Sequence, residues 1–308
     1  MSIQIKEKES LKKHSTFRIG GLARYFVVAK SKDEVLEAIE FAKKSFLPFV
    51  VIGGGSNILF RDEGYEGVVI RFVGGGWSVD GDLIHADAGV SLGALMMASA
   101  NAGLSGLEWA AGIPGTIGGA VNGNCGAYGR SISNNIESVE VLTTEGEIKK
   151  YSNEECGFIY RGSNFKKPEN QDIILDVVLK LISSDAETVK AEIKSIMENR
   201  KGKVPSEPSA GDIFKNFVLG QIEGEKEFLK VAPSEGVVKG KYAVKRLLSA
   251  CNFGGKQIGQ AKITESHTNF IVNLGDATAK DVLSLIDICR DEVKQKFGVN
   301  LDLEIVII

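Results

Sequence analysis

Two glycine-rich tracts are the parts of this sequence whose residue types and spacing most clearly suggest chemistry. The first, Gly53-Gly54-Gly55-Ser56-Asn57, directly follows the apolar run 49–52, and the second runs from Gly112 to Gly129. Consecutive glycines let successive backbone N–H groups turn toward one point, and such a concavity binds phosphate oxygens. Each tract alone could be a turn without a ligand. Together they predict a site for an elongated ligand with a diphosphate and a flat ring, which describes a dinucleotide.

The second tract has an unusual internal pattern. Glycine recurs through Gly112-Ile113-Pro114-Gly115-Thr116-Ile117-Gly118-Gly119-Ala120, and Pro114 fixes one φ angle inside it. A loop that only faces solvent would not need this pattern. Neither tract has the G-x-G-x-x-G spacing of a Rossmann site, which disfavours that fold for the dinucleotide.

Composition narrows the class of protein. With 43% hydrophobic and 25% charged residues over 308 positions, we expect two or three soluble, compact units. The formal net charge of −3 gives no electrostatic reason to expect nucleic acid or an anionic membrane as a partner. The amino terminus lacks the apolar core of a signal peptide, and no run of ~18 apolar residues could span a membrane. A cytoplasmic protein is therefore expected.

The cysteines give no sign of a metal site. No C-x-x-C pair and no cluster of histidines accompanies them. We expect them to pack as free thiols, because an unpaired cysteine behaves as a small apolar side chain. They are Cys125, Cys156, Cys251 and Cys289.

The elements that must position the glycines alternate between strands and helices. Runs rich in β-branched and aromatic residues predict strands at 23–30, 46–52, 58–60, 68–72, 83–88, 138–143, 147–151, 173–182, 270–273 and 303–308. Apolar residues at helical spacing predict helices that start at 31–34 and that cover 91–102, 186–200 and 279–297. A polar segment with Gly202, Pro205 and Pro208 predicts a domain boundary near residue 200.

Several further motifs accompany the glycine tracts in a fixed order along the chain. They are Ser15–Gly21, Cys156–Ser163, Pro208–Gly211, Phe214–Asn216, Ser266–Asn273 and Glu304–Ile307. Over nearly the whole chain, this set closely resembles the UDP-N-acetylenolpyruvoylglucosamine reductase family. The stretch between Tyr160-Arg161 and Arg200 is short, so the resemblance is to the shorter, type II subtype, which lacks a tyrosine-bearing insertion there.

The resemblance implies an α+β fold with two functional domains. Residues 1–200 would bind FAD in two lobes of the vanillyl-alcohol-oxidase (PCMH) type, at about 1–75 and 76–200. Residues 201–308 would form a smaller α/β domain that binds the UDP-sugar. The partners implied are therefore small molecules, and no oligomer is implied.

The resemblance also implies an enzyme, an FAD-dependent UDP-N-acetylmuramate dehydrogenase of peptidoglycan precursor synthesis. NADPH would reduce the flavin and leave, and the enolpyruvyl substrate would then enter the same pocket. A hydride would pass to C3 of the enol ether while a protein acid protonates C2. The sequence has no second dinucleotide motif, which agrees with one shared pocket.

Site residues carry over by resemblance onto matching positions. The implied cofactor contacts are Gly53, Gly54, Gly55, Ser56, Asn57, Gly112, Ile113, Pro114, Gly115, Ile117, Gly118, Asn124, Gly126 and Ala127. The implied substrate contacts are Tyr160, Lys215, Asn216 and His267. Arg161 would pair with the substrate carboxylate, because its planar fork suits that group, and with Glu304 it would steady the enolic intermediate.

Taken without the resemblance, these residues have plainer interpretations. Tyr160-Arg161 could be an ordinary strand pair, and Phe214–Asn216 an exposed turn. Glu304 stands in an apolar carboxyl-terminal run, where alternation could put it on a solvated strand face. A single histidine such as His267 is more often a satisfied surface or core group than a ligand contact.

Asp212 is the main departure from the family pattern, which usually has a serine proton donor after the Ser-Ala-Gly step. A free aspartic acid has a pKa of about 3.9 and is ionised near neutrality, so the pKa must rise by roughly three units for it to act as the acid. Burial and a neighbouring carboxylate would raise it, whereas nearby cations would lower it. Asp212 is therefore a general acid with a raised pKa, a mark of altered substrate, or a cause of weak activity.

A second departure follows Asn216. Where the family has a proline and a compact helix, this chain has Phe217 and a longer polar stretch through 223–227, interpreted as a rebuilt surface loop. Three functions remain open: the reductase, an FAD-linked oxidoreductase of the same fold with another substrate, and a non-catalytic binding protein. The set Lys215, Asn216, His267 and Glu304 favours the first.

Overall fold

The computed structural model describes residues 3–308. Within them the chain folds into both β-sheets and α-helices. Predictions that begin at residue 1, namely the first domain, its first lobe and the amino terminus without a signal peptide, include Met1 and Ser2, which lie outside the described residues. The predicted α+β fold class is confirmed by the sheets and helices below.

The strands are short and spread along the whole described chain. They are β1 (Ile5–Ser10), β2 (Leu22–Ala29), β3 (Phe49–Ile52), β4 (Ile58–Leu59), β5 (Tyr65–Phe72), β6 (Trp77–Asp80), β7 (Leu83–Asp87), β8 (Leu104–Ser105), β9 (Gly126–Ala127), β10 (Arg130–Ser131), β11 (Ile136–Leu142), β12 (Ile148–Ser152), β13 (Ile173–Lys180), β14 (Ile182–Ser183), β15 (Ser209–Asp212), β16 (Phe217–Val218), β17 (Val237–Val238), β18 (Lys241–Tyr242), β19 (Gln257–Ile258), β20 (Ala261–Ile263), β21 (Phe270–Asn273) and β22 (Val306–Ile307).

Most of the longer helices begin where a hydroxyl or carboxylate side chain can accept a backbone N–H. Ser31 accepts from Glu34, and Thr278 and Asp281 form a capping box. The predicted helices at 186–200 and 279–297 are confirmed to the residue. The helices are α1 (Lys32–Lys44), α2 (Leu92–Asn101), α3 (Ile117–Asn122), α4 (Ala186–Arg200), α5 (Glu225–Val231), α6 (Val244–Ala250) and α7 (Ala279–Phe297).

Among residues 3–308, no helix has the length and apolar character needed to cross a membrane.

The first compact unit contains the chain up to Glu9, Ala23–Gly54 and Glu66–Lys201. Its sheets have the strand orders β1-β2-β5-β3 and β12-β11-β13-β7-β6. The second sheet is antiparallel throughout, whereas β3 and β5 run parallel. Helices α1 and α2 bury apolar faces in the core of this unit, so sheets and helices share one hydrophobic cluster.

The second compact unit contains Ser10–Leu22, Gly55–Tyr65 and Gly202–Ile308. An antiparallel sheet of order β15-β21-β20-β19 and the parallel pair β22-β4 lie at its centre, with α6 and α7 packed in the same core. The chain passes from the first unit to the second at Lys201–Gly202, and two earlier segments also belong to the second unit.

The stretch that follows Asn216 is folded, so its interpretation as a rebuilt surface loop is wrong. Strands β16, β18 and β17 form a small sheet, and helix α5 packs beside it. The reason is an aromatic cluster: Phe228 lies 5.7 Å from Phe217 and 4.9 Å from Tyr242 between ring centroids. Aromatic side chains bury enough area to stabilise so small a sheet.

Two predicted strands are shorter than expected. The strand predicted at 46–52 begins at Phe49, because α1 ends in a turn where Phe46 takes a left-handed φ of 54° and is 95% exposed. The strand predicted at 303–308 covers only Val306–Ile307. Leu303 makes an isolated bridge to Phe214 instead, which draws the chain away from a continuous strand.

Candidate active site

The two glycine tracts touch through their backbones in the first unit. A Cβ atom on Gly53 would overlap the Thr116 hydroxyl, and one on Gly54 would lie 3.1 Å from the Cα of Gly115. We call Gly53, Gly54, Gly115 and Thr116 the glycine cradle. Only glycine allows so close a backbone approach at these positions, so the tracts are joined by packing and not merely by composition.

The amides of this region divide into two groups. The amides of Ile117 and Gly118 donate to the carbonyls of Val90 and Ala88, each at 2.9 Å, and so they hold helix α3 in place. Among the described residues, the amides of Gly54 and Gly115 donate no backbone hydrogen bond outside helices and strands. These latter two amides are among those of the tracts that could turn to a phosphate.

The remaining predicted contacts of the second tract have structural partners as well. Gly112 has a φ of 74°, and an added Cβ would lie 3.2 Å from Nε of Arg200. The amide of Ile113 donates to the carbonyl of Ala110 at 2.9 Å, which closes the turn before Pro114. This turn leads the chain into the glycine cradle.

Asn124 links the end of the second tract to the predicted substrate arginine. It is 7% exposed and has a left-handed φ of 44°. Its Nδ2 donates to the carbonyl of Ile159 at 2.8 Å, and its Oδ1 accepts from the amide of Ser133 at 3.3 Å. Asn124 therefore holds the chain around residue 159. This structural role is separate from its predicted role as a cofactor contact.

Tyr160 and Arg161 lie in a tight turn, which we call the arginine turn. Ile159 and Gly162 pair across it, and Arg161 has a left-handed φ of 55°. An arginine in this conformation is strained, and such strain concentrates at functional sites. One terminal nitrogen of Arg161 donates to the carbonyl of Gly126 at 2.9 Å, and its guanidinium lies 5.4 Å from the centroid of the Tyr160 ring.

Gly126 and Ala127 form β9, which pairs with β10. An added Cβ at Gly126 would overlap the carbonyl oxygen of Arg130. The first unit therefore brings the arginine turn against the segment that carries Asn124 and Gly126, so two of the predicted cofactor contacts and one predicted catalytic residue share one neighbourhood.

The end of the first tract belongs to the second unit. Gly55 has a φ of 69°, and its carbonyl accepts from the amide of Thr16 at 3.1 Å. Asn57 donates from Nδ2 to the carbonyl of Glu304 at 3.0 Å, and its own carbonyl accepts from Val306 at 2.9 Å. Asn57, predicted as a cofactor contact, thus positions the backbone of a predicted catalytic residue.

Asp212 is the last residue of β15 and pairs with Phe270 of β21. The register shifts between Ser209 and Asp212, where Gly211 has a φ of 82°. A β-bulge of this kind re-aims the side chain that follows it. The side chain of Asp212 is 31% exposed.

Beyond Asp212 the chain is held on both sides by backbone pairing. Ile213 donates to the carbonyl of Asn269 at 2.9 Å and accepts from the amide of Glu304 at 2.8 Å. Lys215 donates its amide to the carbonyl of Asp302 at 2.8 Å. Asp212, Lys215 and Glu304 are therefore brought together by neighbouring chain segments of the second unit.

Asn269 is a site residue to which the sequence analysis gave no role. It is 2% exposed, accepts from the amide of Phe214 at 3.0 Å and donates to the carbonyl of Phe214 at 2.8 Å. A side-chain amide that completes both backbone bonds of one residue fixes that residue's position. The available signal was an amide residue at the start of the apolar strand 270–273.

Asn216, predicted as a substrate contact, has a structural task. Its Oδ1 accepts from the amide of Val244 at 2.9 Å, the first residue of α6. The cap residue of that helix, Ala243, has no side-chain acceptor to offer. The side-chain oxygen Oδ1 of Asn216 therefore caps the first turn of α6.

Glu304 lies in a bend before β22 and not within a strand, which corrects the expectation of an alternating strand face. Its backbone is fixed by Ile213 and Asn57, as described above. The position of the carboxylate therefore depends on contacts far apart in sequence.

His267 lies close to Asp212, a proximity that the sequence analysis did not predict. Its Nδ1 is 3.7 Å from Oδ1 of Asp212, and its side chain is 21% exposed. Burial, followed by the positive charge of Lys245, lowers the pKa of His267 to about 4. The imidazole is therefore neutral at neutral pH.

Two family models match the chain in order. A model described as an FAD binding domain matches residues 23–152, and one described as the UDP-N-acetylenolpyruvoylglucosamine reductase C-terminal domain matches residues 203–308. These ranges fall mainly in the first and the second unit respectively.

Relatives of the same name match over almost the full length. The protein of Lachnoclostridium phytofermentans is 40% identical over 304 residues, which is 96% of this chain and 90% of the relative. That of Bacillus velezensis is 37% identical over 308 residues, covering 99% of this chain and 94% of the relative. Both are called UDP-N-acetylenolpyruvoylglucosamine reductase.

A crystal structure of UDP-N-acetylenolpyruvylglucosamine reductase from Thermus caldophilus is similar as well, with a TM-score of 0.77 and 33% identity. The similarity covers 100% of this chain and 99% of the other. The matches span both units and agree with the order of the motifs. The chain therefore belongs to the UDP-N-acetylenolpyruvoylglucosamine reductase family.

Proposed function

We propose that this protein is an FAD-dependent reductase that converts UDP-N-acetylglucosamine enolpyruvate to UDP-N-acetylmuramate in peptidoglycan precursor synthesis. The observation that carries the proposal is the backbone contact between the glycine tracts in the unit that also holds the arginine turn. Membership of the reductase family supports the same reaction. NADPH is the proposed reductant.

The glycine cradle fits the diphosphate of FAD. Among the described residues, the amides of Gly54 and Gly115 donate no backbone hydrogen bond outside helices and strands, and an added Cβ at Gly54 would lie 3.1 Å from the Cα of Gly115. The residues proposed to hold the cofactor remain those of the two tracts, with Asn57, Asn124, Ile117 and Gly118 also serving the fold. When bound, FAD supplies the hydride for C3 of the substrate.

Arg161 is proposed to bind the substrate carboxylate. Its backbone strain and its bond to the Gly126 carbonyl fix the guanidinium before substrate arrives, so little entropy is lost on binding. A planar guanidinium can meet both carboxylate oxygens at once. Tyr160, against whose ring the guanidinium packs, would support that orientation.

In the second unit, Lys215 and Asn216 are proposed to contact the nucleotide and its diphosphate, and Glu304 to steady the enolic intermediate. Asp212 is proposed to deliver the proton to C2. The last residue of a bulged strand is a suitable place for a proton donor, because the bulge fixes the direction of the side chain. The reaction is proposed to take place in the cytoplasm.

The test is made on purified protein. A yellow protein with one equivalent of FAD, which sustains NADPH oxidation over many turnovers only when the UDP-enolpyruvyl sugar is present, would support the proposal. Colourless protein that refuses FAD on reconstitution would overturn it. Flavin reduction by NADPH with no lactyl ether formed would point instead to an FAD-linked oxidoreductase with another substrate.

A further inference from the structure

We infer that Asp212 and His267 form a proton-sharing pair, in which Asp212 gives a proton to the substrate and His267 positions Asp212 and returns its proton. The use of that proton rests on the proposed function. The pairing itself rests on the geometry of the second unit and can be tested without substrate.

The geometry places a buried ring nitrogen against a carboxylate. His267 Nδ1 is closed to solvent and, within residues 3–308, has no hydrogen-bond partner, although Oδ1 of Asp212 is only 3.7 Å away. Buried polar atoms are nearly always paired, so an unpaired one calls for an explanation. A distance of 3.7 Å is longer than a hydrogen bond, but such bonds at catalytic sites often shorten only when the substrate binds.

Both members of the pair are fixed by their backbones. Asp212 pairs with Phe270, and the His267 ring packs edge-on against the ring of Phe270 at 4.8 Å between centroids. Thr264 closes the turn before it, accepting from the His267 amide at 3.3 Å and donating to the His267 carbonyl at 2.7 Å. Only a small side-chain rotation is therefore needed to bring the two polar atoms into contact.

The charges around His267 decide where the shared proton resides. Lys245 on α6 and Asp212 on β15 act on the ring, while Glu265 of its own turn is 77% exposed and lies 3.6 Å from the Lys262 ammonium. Burial and Lys245 together lower the pKa of His267 to about 4. A charged imidazolium is thus disfavoured, so in the free protein the ring is neutral and carries a single proton.

One proton moves from Asp212 to the substrate in this step. The O–H bond of Asp212 breaks and a C–H bond forms at C2, while C3 receives the hydride that the reduced cofactor supplies. Asp212 is left as a carboxylate. His267 then gives its Nδ1 proton to Asp212 while Nε2 takes a proton from solvent, and exchange of the ring proton from Nε2 back to Nδ1 through solvent returns the pair to its starting state.

The first experiment follows the pair by NMR in the FAD-loaded protein without substrate. The chain has three histidines, so ¹⁵N labelling with a His267→Gln comparison assigns the ring, and ¹³C-labelled aspartate reports the Asp212 carboxyl. We expect the His267 ring nitrogens and the Asp212 carboxyl carbon to report the same macroscopic midpoints, because strongly coupled groups share their titration steps. A His267 titration that is the same in Asp212→Ser protein would overturn the inference.

The second experiment is a double-mutant cycle on turnover. His267→Asn should lower kcat on the order of 100-fold in the parent. In an Asp212→Ser background it should lower kcat by about threefold or less, because a serine brings its own proton and the two sites no longer interact. A KM raised by the same factor in both backgrounds, with kcat unchanged, would overturn the pairing and make His267 a sugar contact. If the parent has no reductase activity, the proposed function fails, while the NMR titration still decides the pairing.

Discussion

In the first unit many of the predicted cofactor contacts are glycines, and the backbones of two of them touch, whereas in the second unit the predicted substrate contacts are polar side chains. Gly53 and Gly54 meet Gly115 and Thr116 without room for a Cβ. Asp212, by contrast, occupies a strand position whose backbone pairing with Phe270 does not depend on its side chain. Glycine positions in the first unit therefore tolerate little change, whereas the second unit can carry an aspartate where the family usually has a serine and keep its fold.

Each unit nevertheless uses one buried asparagine to hold its key segment. Asn124 is bonded to Ile159 beside the arginine turn, and Asn269 is bonded twice to Phe214, two residues after Asp212. The two asparagines have no direct chemistry in the proposed reaction. They show how a fold can fix a reacting group through a neighbour's backbone.

Arg161 is the predicted catalytic residue of the first unit, and its loss should have the largest effect. Replacement by lysine removes the planar fork, so we expect kcat/KM to fall on the order of 10²–10³-fold with FAD content unchanged. Steady-state kinetics and the flavin absorbance measure the two quantities. Arg24→Lys, on the exposed part of β2, is the matched control and should have normal kinetics. An Arg161→Lys enzyme with parental kcat/KM would refute the assignment.

The next largest effect is expected on the free energy of unfolding, when Asn269 or Asn124 is replaced. Asn269→Leu leaves the backbone N–H and carbonyl of Phe214 unpaired inside the second unit, and we expect it to cost about 2–4 kcal/mol of unfolding free energy. Asn124→Ala should cost about 1–2 kcal/mol, and it also places alanine at a positive φ. Urea unfolding measures both. We further expect Asn269→Leu to weaken substrate binding and to keep its flavin. Equal losses of flavin in both variants would contradict the assignment of cofactor contacts to the first unit and substrate contacts to the second.

Adjacent glycines of α3 test how little space the first unit leaves. A Cβ on Gly118 would lie 2.7 Å from the Cβ of Ala88, whereas one on Gly119 meets only the Thr116 hydroxyl at 3.5 Å. Gly118→Ala should therefore destabilise by about 1–3 kcal/mol and reduce FAD retention. Gly119→Ala, its control, should be neutral or stabilise by up to about 1 kcal/mol, as expected for alanine in a helix. Similar unfolding curves for the two variants would show that the close contact between Gly118 and Ala88 does not restrict the side chain at position 118.

A further prediction concerns the pH dependence of stability and belongs to the second unit. Because the pKa of His267 is lowered to about 4 from a usual 6.5, the unfolded chain binds more protons than the folded chain between these values. Stability should therefore fall as pH drops from 6.5 to 4, by about 2 kcal/mol after allowance for solvent screening. Urea titrations at both pH values measure the loss, which His267→Gln should reduce and His85→Gln should not. A rise in stability over this range would mean that His267 is charged in the folded protein.

The elements that could be predicted from the sequence are those with local causes. Helices α4 and α7 match their predicted bounds because apolar spacing and capping residues lie within the helix itself. Strand β21 matches for the same reason, as a short apolar run. Phe46 was misassigned because its left-handed turn depends on how α1 ends, and an apolar residue carries no sign of that.

The candidate site was predictable as a set of residues but not as an arrangement. The motif order identified Arg161, Asp212 and Glu304, yet Tyr160-Arg161 proved to be a strained turn and Glu304 a bend. Asn269, and the second tasks of Asn57 and Asn216, depend on partners far away in sequence. Spacing along the chain contains no information about such partners.

The family, the fold class and the residues expected to contact cofactor and substrate follow from the sequence without coordinates. Glycine spacing and motif order are local properties of a chain, and they survive without coordinates. The three-dimensional packing alone shows that the backbones of Gly54 and Gly115 meet, that Asn57 bonds to the backbone of Glu304, and that His267 lies 3.7 Å from Asp212. Each of these is a contact between segments at least 50 residues apart, and such contacts form only when the whole chain packs.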